Sequence, residues 1–155
     1  MIMKTEHIAP CTMAYIRQTG PYGPDNIKTM ERLKHWAKSR DLMNGHSVIL
    51  GIAQDDPRIT PQEKCRYDAC ILLPGDYSFE SSAPDQNVHY GSITGGNYGV
   101  FTIDHTAGAI QQAWEEVLQQ LFAENYVPDS SRPILERYKA ELVERHLCEI
   151  CVPIQ

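Results

Sequence analysis

Apolar and polar positions change rhythm several times along this chain, and each change marks an element. Residues 12–19, Thr-Met-Ala-Tyr-Ile-Arg-Gln-Thr, are β-rich and stop at the Gly20-Pro21-Tyr22-Gly23-Pro24 cluster. That cluster serves as turn and helix start, with Asp25 or Asn26 as the expected cap. Ile27, Met30, Leu33, Trp36 and Ala37 then recur at helical spacing to about Arg40. Residues 47–53 and 67–73 predict two strands separated by a polar loop with Asp55-Asp56-Pro57 and Thr60-Pro61. Residues 74–87, rich in Ser, Pro, Gly and Asp, predict a linker, and 88–93 a short edge strand. The order then repeats. Residues 97–104 predict a strand, and Asp104 or Thr106 a cap. The helix that follows carries the stripe Ile110, Ala113, Trp114, Val117, Leu118, Leu121 and Phe122. Strands follow at 134–138 and 147–154, with a solvated hairpin at Glu144-Arg145-His146.

Strand–helix–strand–strand thus occurs twice, with equivalent elements roughly 80–85 residues apart. The repeat is one of pattern, not of residues, and spans about 10–74 and 95–155. The expected fold class is α+β: tandem βαββ units joined in one mainly antiparallel sheet, with two helices on one face. The first ten residues, polar and charged, are assigned no element. A groove between the two helices, near the axis relating the halves, is the natural ligand site.

Composition narrows the function. At 155 residues, 42% apolar and 22% charged, the chain has ordinary globular values. The net charge of -6 and the absence of a clustered Lys/Arg run argue against direct nucleic-acid binding. The polar N-terminus argues against a signal peptide, and no apolar run reaches membrane-span length, so a cytoplasmic, membrane-free location is expected. Five cysteines, an odd number, suit a reducing compartment. Cys148 and Cys151 form a CxxC spacing without a helix start behind it, which reads as two strand cysteines rather than a redox or metal pair. Asp55 and Asp56 read as turn chemistry and His105 as part of a capping region. No metal and no cofactor is expected.

Four segments carry a resemblance. Thr19-Gly20-Pro21-Tyr22 looks like a Gly-Pro-aromatic turn. Asp55-Asp56-Pro57, followed by Thr60-Pro61-Gln62-Glu63-Lys64-Cys65-Arg66-Tyr67-Asp68, looks like a family loop and third strand. Thr94-Gly95-Gly96-Asn97-Tyr98-Gly99-Val100 resembles the entry to the second half, and Ile134-Leu135-Glu136-Arg137-Tyr138 stands at a "Phe-Glu-x-Tyr" strand. Together they resemble the GyrI-like proteins and the effector-binding domains of AraC-type regulators, over nearly the whole chain. Two positions depart from the pattern: Tyr15 stands where a small residue is frequent, and Leu135 where an aromatic is usual. With no helix-turn-helix region before residue 12, the stand-alone form is expected.

The resemblance implies a ligand-binding acid. By alternation alone Glu136 is either a solvated strand residue or a groove residue, since each face of its strand holds a charge. The resemblance favours the groove, where a carboxylate short of hydration awaits a cation. Tyr138 shares its face. Trp36 and Trp114, on the two helical stripes, read either as core or as π-faces for a planar or cationic ligand. Tyr15 and Phe101 complete the candidate ligand-binding set, with Tyr22 and Tyr98 weaker. The leading expectation is binding of bulky cationic, lipophilic or planar aromatic small molecules, for sensing or sequestration. The resemblance also implies two alternatives. One is hydrolysis of cyclopropane-containing genotoxins with Glu136 as base and Tyr138 as acid. The other is inhibition of DNA gyrase as a protein partner, which ranks lower because 79–85 carries only two carboxylates.

Overall fold

A computed structural model describes residues 2–78 and 87–155. The elements run β1 (Ile2–Ile8), β2 (Cys11–Thr19), α1 (Pro24–Ser39), β3 (Val48–Ala53), β4 (Arg66–Leu72) and β5 (His89–Ile93). They continue as β6 (Gly96–Asp104), α2 (Ala107–Ala123), β7 (Leu135–Lys139), α3 (Ala140–Val143) and β8 (Leu147–Pro153). The acidic segment considered for a gyrase contact, 79–85, lies outside the described residues, as does most of the expected linker.

All eight strands form one antiparallel sheet in the order β1-β6-β8-β7-β3-β4-β2-β5. Read outward from its centre, β7-β8-β6-β1 mirrors β3-β4-β2-β5. This is the expected tandem α+β architecture, with one addition. The edge strand expected at 88–93 forms as β5 and pairs with the first half, and a counterpart that was not expected, β1, pairs with the second. Periodicity missed β1 because its inward positions include Lys4 and Glu6, which are held by ion pairs rather than by apolar burial.

The sheet must curl. β1 and β2 stand six strand spacings apart, roughly 29 Å in a flat sheet. Yet Ile8 and Cys11 lie three residues apart, at most about 11 Å. The same holds for Ile93 and Gly96 between β5 and β6. The two connectors therefore meet. Gly95, at φ 79°, lies so close to Ile8 and Pro10 that a Cβ would come within 2.7 Å of their backbone atoms.

Curling gives the sheet two cores. The inner face buries Met13, Leu50, Ile52, Cys70, Tyr98, Val100, Leu135 and Cys151 against one another. The outer face is covered by α1, over Ile16, Ile49 and Ile71, and by α2, over Phe101, Ile103, Ile150 and Val152. α1 starts earlier than the Asp25/Asn26 cap expected of it, because Pro24 occupies the first helical turn with its φ preset and no N–H to satisfy. α2 starts as expected, with Thr106 Oγ1 accepting from the Ala109 N–H at 3.1 Å. Its stripe is only half buried: Ala113, Val117 and Leu121 enter the core, whereas Phe122 stays 61% exposed. The expected hairpin at 144–146 is a turn following α3, with His146 at φ 60°. Among the described residues no helix is long and apolar enough to cross a membrane.

The first two motif segments lock together. Tyr22 Oη contacts the carbonyls of Asp55 and Arg66 at 3.1 and 2.8 Å, and the Asp55 N–H at 3.2 Å. Arg66 grips the Asp55 carboxylate through Nε and Nη2, each at 2.9 Å. Asp56 pairs with Arg58. Cys148 and Cys151, three apart in a strand, point to opposite faces and cannot act together. Burial is the main cause that pushes each thiol up to about 12.

Candidate functional site

The central strands carry an acid. Gly51 of β3 pairs with Glu136 of β7, and Ile49 with Tyr138, so all four residues share the outer face. Glu136 is half-buried there. Its Oε1 accepts the Trp114 indole N–H from α2 at 2.8 Å, and its Oε2 accepts the Tyr138 hydroxyl at 2.6 Å. Among the described residues no Lys, Arg or His comes within ion-pair distance of it. The carboxylate is therefore oriented by neutral donors and left without a counter-charge.

A second phenol reaches the same spot. A Cβ on Gly51 would stand 2.8 Å from Tyr67 Oη and 3.5 Å from Glu136 Oε2. Only glycine lets the ring of Tyr67, from β4, lie across β3 toward the acid. Burial, then the Glu136 charge, pushes both the Tyr67 and Tyr138 phenols above their ordinary range, so both remain neutral hydroxyls. The His105 ring packs on Tyr138, with centroids 5.2 Å apart.

Tyr67, His105, Glu136 and Tyr138 form the floor of a cleft of about 740 Å³, a size typical of small-molecule sites. One wall is α1, through Asn26, Ile27, Met30, Glu31 and Lys34; Met43 and the 44–47 turn extend it. Val143 and Glu144 close the opposite side at α3. The walls thus combine aliphatic and thioether side chains, adaptable to a bulky ligand, with the charged Glu31, Lys34 and Glu144.

Of the residues singled out in the sequence, the fold brings Glu136, Tyr138 and Trp114 together. It places three elsewhere. Trp36 is 6% exposed beneath α1, with Arg40 over its ring at 5.7 Å. Tyr15 projects to the inner face beside His89 and Arg17. Phe101 is fully buried under α2. Tyr67 was not among the candidates, although it stands within the quoted motif. Its signal lies in the pairing of a strand glycine with an aromatic on the next strand, which needs the strand order to be known.

The model of the GyrI-like small-molecule-binding domain matches residues 1–155. The chain belongs to this family. One GyrI-like relative is YosT, a prophage-derived protein of Bacillus subtilis (strain 168) whose name assigns it provisionally to transcriptional regulation. It is 38% identical over 156 residues, spanning 100% of both chains. The DNA gyrase inhibitor of Escherichia coli (strain K12) is 25% identical over 127 residues, covering 82% of this chain and 78% of that protein. The fold is also that of SAV2435, solved bound to tetraphenylphosphonium, with a TM-score of 0.61 and 18% identity over 100% of this chain and 94% of that one.

Proposed function

We propose that the cleft between α1 and α3 receives a lipophilic cation, with Glu136 as its counter-charge, and that the protein serves in sensing or sequestering such compounds. The observation that carries this reading is the uncompensated carboxylate, aimed by Trp114 and Tyr138 into the cleft. A cation supplies the missing charge while its apolar bulk fills the walls, and the phenol rings add cation–π attraction. SAV2435, with the same fold, was solved with such a ligand, which supports the same chemistry here. The hydrolase alternative asks Glu136 to act as general base. Hydrogen bonds from Trp114 and Tyr138 already occupy both of its oxygens, which favours binding over turnover. A gyrase contact is supported by the names of relatives alone, and a supercoiling assay with added protein tests it.

The direct test is a pair of titrations. Tetraphenylphosphonium is expected to bind in the micromolar range, roughly -8 kcal/mol, and the equally bulky anion tetraphenylborate is not. Equal affinity for both ions removes Glu136 from the account.

A further inference from the structure

β7 is an odd strand to find at the centre of a sheet. Leu135-Glu136-Arg137-Tyr138-Lys139 has one aliphatic residue. It pairs with β8 only over 135–137 and with β3 only over 136–139. Apolar patterning cannot fix such a strand, and a slip of one residue would turn Glu136 to the inner face.

Something on the inner face does fix it. Arg137 is 5% exposed there. Its Nε donates to Glu149 of β8 at 2.8 Å, and its Nη1 and Nη2 donate to the two oxygens of Glu6 of β1 at 2.8 and 3.0 Å. One guanidinium thus ties β7 both to its neighbour and to the N-terminal edge strand. Burial opposes its charge, but the two carboxylates more than offset this.

The other half of the molecule shows that this arrangement is particular to β7. Asp68 is the third residue of β4, as Glu149 is of β8, and each is 1% exposed. Asp68 takes its guanidinium from Arg17 of the outer strand β2, at 2.8 Å. The equivalent partner of Glu149 on β6 is Thr102, which has no charge. In this half the guanidinium comes from the strand that carries the site.

We propose that Arg137, clamped by Glu6 and Glu149, is the positioning residue of the cleft. It holds the register and tilt of β7, so that Glu136 and Tyr138 project toward α2. Arg137 faces away from the ligand and acts only through them. The role rests on reading Glu136 as the binding carboxylate, but its readout does not. Trp114 is carried by α2, whose Ala113, Val117 and Leu121 pack on the outer face of the sheet, whereas the clamp lies on the inner face. The Trp114–Glu136 hydrogen bond therefore gauges β7 against a fixed reference.

The chain has two tryptophans, hence two indole N–H signals in a nitrogen-15 correlation spectrum. The Trp36 indole N–H has no acceptor among the described residues and serves as internal control. Glu136→Gln marks where the Trp114 signal goes when the charged acceptor is lost. Arg137→Met and Glu6→Gln are expected to move the Trp114 signal toward that position while Trp36 stays. Arg137→Met is also expected to weaken tetraphenylphosphonium binding on the order of ten-fold. Should Arg137→Met fail to fold, Glu6→Gln alone decides. A Trp114 signal unmoved in the folded variants, or both indole signals moving together, overturns the role. If the Trp114 shift appears while the unmodified protein binds no cation, the clamp stands and the binding reading falls.

Discussion

Glu136 accepts hydrogen bonds on both oxygens yet has no cationic partner among the described residues, and that combination sets what its replacement should do. Glu136→Gln keeps shape and removes charge. It is expected to weaken tetraphenylphosphonium binding about ten-fold or more, at least ~1.4 kcal/mol, with little change in unfolding midpoint; calorimetry and a thermal melt check both halves. Gly51→Ala tests the floor from below. The added methyl meets the Tyr67 hydroxyl, so the ring must lift into the cleft, at an expected cost of about 1–3 kcal/mol in stability and a loss of affinity. An unchanged melt and unchanged binding would show that Tyr67 does not lie over β3. At this scale the sequence was partly legible. Glu136 and Tyr138 stand two apart on a strand and had to share a face. Tyr67 and the loss of Trp36, Tyr15 and Phe101 from the cleft were not legible, because they depend on which strands are neighbours and which way the sheet curls.

The elements were legible wherever apolar burial marks them. β2, β3 and β6 bury apolar side chains on both faces of the sheet and α2 along one stripe, and their limits differ from the sequence reading by a residue or so. β1 and β7 escaped or stayed ambiguous for a shared reason: their inner positions are charged and mutually paired, which hydropathy cannot distinguish from solvent exposure. The loop 54–65 belongs to this scale too. Tyr22 joins it to the end of β2 and the start of β4 through one hydroxyl. Tyr22→Phe leaves those backbone groups short of a partner, an expected loss of about 1–3 kcal/mol measurable by urea unfolding, without effect on cation binding. A loss of binding with unchanged stability would instead place the loop in the site.

For the whole molecule, curling lets one sheet serve two purposes: an inner face closed on itself and an outer face roofed by helices with a cleft left at the centre. The carboxylates that brace it also govern its response to acid. The hydrogen bonds from Arg137 hold Glu6 below the usual carboxylate range, and those from Ser131 and Arg132 bring Asp129 to about 2. Groups with depressed folded pKa stabilise the fold above their unfolded values, and that contribution is lost as pH falls through the folded ones. Stability is therefore expected to be level above about pH 5 and to decline from about pH 4 toward 2. Glu6→Gln should flatten that decline, as melts across pH can show. The central claim remains the cleft and its acid. The most direct measurement is a crystal structure of the protein with tetraphenylphosphonium. The cation is predicted to lie in the cleft, its centre above Glu136 and its rings against Tyr67, Tyr138 and Met30. A cation seated elsewhere, with the cleft filled only by solvent, would contradict the account.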